Sequence, residues 1–255
     1  MNIQNYTDLI FDLYGTLVDI RTEENDTVWE KTALYFGYYG FPCSSMDLKA
    51  EFEDILLKQQ IKAGQSYECF PDIPMEGIFT QLARSKGMVD NTEVFGVNAA
   101  QLFRICSTQY IRLYPGVLTA LQQLRSRGYR LWLLSNAQRV FTAFELRQLG
   151  LENHFDGVYI SSDYGFRKPD KRFFRALLEE QQLDVRNCLM IGNDRETDIA
   201  GAKNVGLATL YLHSNITPLK QRPADPALTP LVAPASCRHW EVEGADWNLI
   251  LPMLP

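Results

Sequence analysis

Asp12, Ser135, Lys168 and the group Asn193, Asp194 and Asp198 are the residues of this chain whose types and placement suit chemistry. A carboxylate such as Asp12 can attack phosphorus and form an aspartyl-phosphate. A lysine and a hydroxyl can hold phosphoryl oxygens. Two or three carboxylates together suit magnesium, which prefers hard oxygen ligands and neutralises substrate charge.

Each of these residues follows an apolar run that reads as a buried strand. Asp12 closes Leu9-Ile10-Phe11 and leads into a turn at Gly15, and Ser135-Asn136 closes Leu131-Trp132-Leu133-Leu134. Lys168 sits in the loop after Val158-Tyr159-Ile160, and Asn193, Asp194 and Asp198 follow Cys188-Leu189-Met190-Ile191. Amphipathic helices are expected between them: one through Val117, Leu121 and Leu124, one through Val140, Phe141, Phe144 and Leu149, and one through Phe173, Phe174 and Leu177. A further strand is expected at Ala208 to Leu212. Alternating apolar strands and amphipathic helices imply an α/β fold with a parallel sheet covered on both faces. In such sheets ligands bind at the carboxyl ends of the strands, so the four polar ends converge on one crevice.

The stretch from Ile20 to Cys106 reads differently. It shows helical periodicity at Phe52, Ile55, Leu56 and Gln59 and offers no evident strand. It is expected to be an α-helical insert, residues 20–106, in a core made of residues 1–19 and 107–255. The aromatic cluster Tyr35, Phe36, Tyr38, Tyr39 and Phe41 is expected in the insert's own core. The Pro- and Ala-rich stretch from Pro218 to Pro234 reads as extended surface chain, followed by an edge strand at Trp240-Glu241-Val242 and a short helix capped by Asp246.

Composition excludes several classes. The 255 residues hold 25 Lys and Arg against 31 Asp and Glu, a net charge of -6, which disfavours binding to nucleic acid through bulk basic charge. No apolar stretch approaches the ~20 residues that span a bilayer, and Met1 to Asp8 lacks the pattern of a signal peptide. The five cysteines are scattered, with no C-x-x-C pair, and the three histidines lack metal-ligand spacing, so a cytoplasmic protein with reduced thiols is expected.

Four motifs in order, Asp12-Leu13-Tyr14-Gly15-Thr16-Leu17, Ser135-Asn136, Gly165-Phe166-Arg167-Lys168-Pro169-Asp170 and Ile191 through Ala202, resemble those of the haloacid dehalogenase-like hydrolase superfamily over Thr7 to about His213. The resemblance implies a Rossmann-like core with a helical cap inserted after the first motif. It implies Asp12 as nucleophile, Ser135, Asn136 and Thr16 as substrate-binding residues, and Lys168 as the partner of Asp12 and substrate. Magnesium would be held by Asp12, the backbone carbonyl of Tyr14, and one or both of Asp194 and Asp198.

Two positions depart from the family's commonest pattern. Tyr14 stands where its phosphatases carry a second aspartate that acts as general acid and base, and a phenol with a pKa near ~10 is a poor base at neutral pH. Tyrosine there is typical of 2-haloacid dehalogenases, in which Asp12 would attack carbon. Asn193 stands where many relatives have the first aspartate after the glycine. Against the dehalogenase, the acid cluster suits a cation, the dehalogenases' Ser-x-Asn-x-x-Asp pattern is absent, and Phe174 replaces their usual tyrosine. The resemblance therefore implies a magnesium-dependent phosphatase of a small phosphorylated metabolite. A 2-haloacid dehalogenase and a non-catalytic binding protein of the same fold are the alternatives, and sequence leaves the substrate and the oligomeric state open.

Overall fold

A computed structural model describes residues 6–64, 69–217 and 239–254. Six parallel strands form one sheet in the order β5-β4-β1-β6-β7-β8, with β1 Asp8–Phe11, β4 Arg130–Ser135, β5 Gly157–Ile160, β6 Cys188–Gly192, β7 Ala208–His213 and β8 His239–Glu243. Side chains alternate between its faces with the two-residue period of a strand. Leu9 and Phe11 of β1, Leu131 and Leu133 of β4, and Leu189 and Ile191 of β6 pack on one side with Leu121 and Leu124 of α5 (Val117–Ser126). Ile10, Trp132, Leu134 and Met190 pack on the other with Phe173, Phe174 and Leu177 of α8 (Lys171–Glu180). Burial on both faces is why these strands read as unbroken apolar runs. The stretch from Pro218 to Pro234, and Cys237, lie outside the described residues.

Between β1 and α5 the chain forms four helices, α1 Asp26–Tyr38, α2 Ser45–Ala63, α3 Met75–Ser85 and α4 Thr92–Ser107. They share a separate apolar cluster that includes Trp29, Phe36, Phe52, Phe79, Phe95 and Phe103. The expectation that the stretch from Ile20 to Cys106 holds no strand is corrected at its start, where Ile20 to Thr22 belong to a strand whose partner begins just beyond Cys106. Strands β2 (Val18–Thr22) and β3 (Thr108–Leu113) pair antiparallel, Val18 opposite Leu113 and Ile20 opposite Ile111. The Glu23 N–H then donates to the Ser107 carbonyl at 2.8 Å. The expected aromatic core is corrected as well: Phe36 is buried, whereas Tyr38 and Tyr39 are exposed, because Thr32, Ala33 and Phe36 define the inner face of α1 and the two tyrosines fall beyond it.

A second contact joins the insert to the core. Asp72 N–H donates to the Gly165 carbonyl at 3.1 Å and Arg167 N–H to the Phe70 carbonyl at 2.8 Å, strapping the chain ahead of α3 to the loop that carries Lys168. The Asp72 carboxylate is bonded by Ser161, at the start of α7 (Ser161–Tyr164), and by Gln138 Nε2 at 2.8 Å. Beyond β8, Asp246 caps α10 (Trp247–Ile250), whose Trp247 indole donates to the Thr16 carbonyl at 2.9 Å and supports the loop after β1 from below the sheet's end.

Candidate active site

Asp12 follows β1 directly, and its N–H donates to the Ile191 carbonyl at 2.9 Å, so the backbone is still held in sheet register where the side chain leaves it. Asp12 is 7% exposed. Lys168 is buried almost completely, and its ammonium meets three acceptors: Asp12 Oδ1 at 2.8 Å, the Leu134 carbonyl at 2.7 Å and Asp198 Oδ1 at 2.7 Å. These account for all three N–H donors of a lysine. Burial works against its charge, but the Asp12 and Asp198 carboxylates outweigh that and raise the Lys168 pKa, so it is a cation in the folded protein.

Asn136 holds that lysine from behind. Its Oδ1 accepts from the Lys168 N–H at 2.8 Å and its Nδ2 donates to the Lys168 carbonyl at 3.0 Å. One donor and one acceptor of the amide thus hold backbone, which makes Asn136 a clamp on Lys168. Ser135, at the end of β4, is fully buried, and among the described residues its hydroxyl has no hydrogen-bond partner. A buried, unpaired hydroxyl costs free energy unless something arrives to meet it.

The acidic group after β6 divides its labour. Asp198 Oδ2 accepts the N–H groups of Asn193 and Asp194, each at 3.0 Å, while Oδ1 meets Lys168. Every one of these partners is a donor, which suits the carboxylate form. Burial nevertheless pushes the Asp198 pKa up, to about 7, with Lys168 pulling it down and Asp12 adding to the rise. Asp194 Oδ1 caps the helical turn that follows, accepting from Glu196 N–H at 2.8 Å and Thr197 N–H at 2.9 Å. That turn, Arg195–Ile199, is π-helical and runs into α9 (Ala200–Asn204).

Asn193 shares a partner with the other carboxylate oxygen of Asp12. The Thr16 hydroxyl sits between Asp12 Oδ2, at 3.3 Å, and Asn193 Oδ1, at 3.4 Å. Both distances are long for a hydroxyl donor, so the two oxygens share one weak partner. Among the described residues no three His, Cys, Asp or Glu side chains gather as a metal cage. Around the Thr16 hydroxyl a carboxylate oxygen of Asp12 and the amide oxygen of Asn193 come together. An all-oxygen set of that kind fits magnesium.

The Tyr14 phenol is committed elsewhere. It donates to Glu145 Oε2 and lies 3.0 Å from the Thr142 hydroxyl, both on α6 (Arg139–Gln148). Arg104, in the last turn of α4, meets the same Glu145 through Nε–Oε1 at 2.6 Å and Nη2–Oε2 at 3.1 Å. Its guanidinium lies 5.4 Å from the centre of the Tyr14 ring. Burial first, and then the Glu145 charge, push the phenol's pKa far above its ordinary value. The inner face expected for α6 is corrected accordingly: Thr142 and Glu145 are buried, and Phe144 is exposed. Sequence reasoning missed Glu145 and Arg104, which lie 131 and 90 positions from Tyr14, and a glutamate among the arginines, threonine and glutamine of α6 gave no signal.

Comparison with known proteins agrees with this geometry. The family described as haloacid dehalogenase-like hydrolase matches residues 9–206. The N-acylneuraminate-9-phosphatase of Homo sapiens is 28% identical over 233 residues, 88% of this chain and 89% of that protein. The glyceraldehyde 3-phosphate phosphatase of Methanothermobacter thermautotrophicus is 34% identical over 107 residues, 42% of this chain and 47% of that protein. The match thus spans under half the length of that archaeal relative. A solved 2-haloacid dehalogenase from Pseudomonas syringae pv. Tomato DC3000 superposes with a TM-score of 0.62 at 18% identity, over 97% of this chain and 98% of the other, a likeness of fold alone. A parallel sheet that brings the four motifs to one edge, matched by the family across most of the chain, has one reading: this protein belongs to the haloacid dehalogenase-like hydrolases.

Proposed function

We propose that the protein is a magnesium-dependent phosphatase of a small phosphorylated metabolite, with the α1–α4 insert acting as a cap over the substrate. The observation that carries this reading is the buried Asp12–Lys168 pair, whose ammonium also meets the Leu134 carbonyl, with the next residue, Ser135, offering a buried hydroxyl that has no partner among the described residues. Lys168 pairs with Asp12 and fixes one of its carboxylate oxygens. The Asp12 carboxylate then attacks phosphorus, a bond forms from its oxygen to phosphorus, and the ester oxygen leaves with the bonding pair. Ser135 donates to a phosphoryl oxygen and replaces the partner it lacks in the free protein. Water then attacks the same phosphorus, releasing phosphate and restoring Asp12. Asp12, Asn193 Oδ1 and the Tyr14 carbonyl would hold magnesium, which neutralises the charge of the phosphoryl group. Four free thiols among the described residues, Cys43, Cys69, Cys106 and Cys188, fit a reducing cytoplasm.

The structure gives the dehalogenase reading no support at the positions where it departs from the phosphatase. The Tyr14 phenol is bound to Glu145, and Phe174 is packed in the core against Gly201. A panel of phosphate monoesters and 2-haloacids, run with magnesium and with chelator, tests the proposal. Phosphate release that needs magnesium is expected. Halide release undiminished by chelator would overturn it.

A further inference from the structure

Glu145 is a buried carboxylate that the reaction above does not use. Taking it out of water costs several kcal/mol unless its partners compensate, and an apolar residue would fill the same place on α6. Its partners come from three parts of the molecule. Tyr14 belongs to the loop after β1, two residues beyond the nucleophile. Thr142 and Glu145 itself belong to the core helix α6. Arg104 belongs to α4, the last helix of the insert. Arg104 is held rigidly at the joint with β3, because its carbonyl accepts from the Ser107 hydroxyl at 3.0 Å and the Thr108 hydroxyl at 2.7 Å. Its guanidinium is also laid over the Phe141 ring at 4.5 Å. The carboxylate is thus the middle link between the insert and the catalytic loop.

We propose that Glu145 is a positioning residue: by bonding the Tyr14 hydroxyl on one side and Arg104 on the other, it sets the Asp12–Tyr14 backbone for metal and substrate and ties that setting to the insert. The inference rests on the phosphatase reading and deepens it. A phenol is a stiff lever, so a shift of its hydroxyl passes to the Tyr14 backbone, whose carbonyl is one of the oxygens assigned to magnesium. A misplacement of ~1 Å in such a site can cost ~10²-fold in rate.

The rival is a pair that only stabilises the fold, and a double-mutant cycle separates the two. Glu145→Gln, Tyr14→Phe and the double variant are compared with wild type by thermal melting, by calorimetric titration with magnesium alone, and by kcat and KM on an aryl phosphate. Each single variant is expected to weaken magnesium binding and lower kcat by about 10-fold, with KM changing far less. The double variant is expected to be no worse than Glu145→Gln, because both act along one chain of contacts. A lowered melting temperature with wild-type magnesium affinity and kcat would overturn the proposal. Losses that multiply in the double variant would overturn it too, since Glu145 would then act without Tyr14. If Glu145→Gln does not fold, Tyr14→Phe decides alone, because it leaves the Glu145–Arg104 pair intact; wild-type behaviour in it is fatal to the idea. A wild-type protein that neither binds magnesium nor releases phosphate removes the phosphatase reading and this inference together, whereas wild-type activity with unaffected variants removes only the inference.

Discussion

Gly15 and Asn193 touch: the side chain of Asn193 lies so close over the Gly15 Cα that a β-carbon there would overlap it. Gly15 also has φ +90°, in the region that L residues avoid. Gly15→Ala should therefore cost about 1–3 kcal/mol in backbone strain and push the Asn193 amide away from Thr16 and Asp12. Activity should fall by more than the loss of folded protein explains, as checked by turnover per folded molecule. Equal losses would show that Asn193 has no part in the site.

Asn193 and Asp194 should separate cleanly. Asn193→Ala is expected to raise the magnesium concentration for half-maximal activity by about 10-fold or more, as loss of an oxygen ligand would. Asp194→Ala should leave that concentration nearly unchanged and lower stability by about 1 kcal/mol, the value of a helix cap. Magnesium titrations and melting curves of the two variants read both effects. The reverse pattern would return the metal to Asp194.

Asp12→Asn should keep the fold and abolish turnover of every substrate class. Lys168→Met should do more harm, because Asp12 and Asp198 would be left buried without the cation between them. A loss of about 3–5 kcal/mol is expected, measurable as a lowered urea midpoint. Turnover above a few per cent in Asp12→Asn would rule out the nucleophile.

With the phenol held by Glu145, no acid stands two residues after Asp12 to protonate a departing alkoxide. A general acid typically contributes ~10²–10⁴-fold, so aryl and acyl phosphates should be preferred over alkyl phosphates. Tyr14→Asp should raise kcat/KM for alkyl relative to aryl esters, a ratio in which any common loss cancels. An unchanged ratio would show that the position contributes no acid in either protein.

Acid should reach Asp19 late. Burial raises its pKa, but hydrogen bonds from Asn215, Arg112 and Tyr110 outweigh burial and hold the carboxyl below its ordinary value. A depressed folded pKa means stability that is present above the unfolded value of ~3.9 and lost as pH falls through the folded one. Asp19→Asn should lower the melting temperature at pH 7, and the gap should close below about pH 4. A gap constant across that range would mean that charge is not what Asp19 contributes.

The sheet and the strand ends were legible because the signal is local. A strand buried on both faces is an apolar run, and Asp12, Ser135 and the Asn193 turn each follow one directly. The division among Asn193, Asp194 and Asp198 was not legible, since they share one turn and its π-helical hydrogen bonding decides which way each points. There, the Ile199 N–H reaches back five residues to the Asp194 carbonyl, at 3.2 Å. The β2–β3 ribbon and the Tyr14–Glu145–Arg104 chain were hidden for a different reason. Their partners are brought together only by the folded insert and α6, and nothing within a short window of sequence marks either end.

The ribbon has a consequence for how such a protein can be changed. Because Glu23 and Ser107 are hydrogen-bonded neighbours, the four helices leave the core and rejoin it at nearly one point, and the core bears little loop-closure cost for whatever lies between. The joint works as a socket. A different recognition module, of any length, can be grafted between Thr22 and Thr108 without altering the span the core must close. Two contacts are the exceptions that a transplanted module would have to rebuild: the Arg104 link to Glu145, and the Phe70 and Asp72 bonds to the loop that carries Lys168.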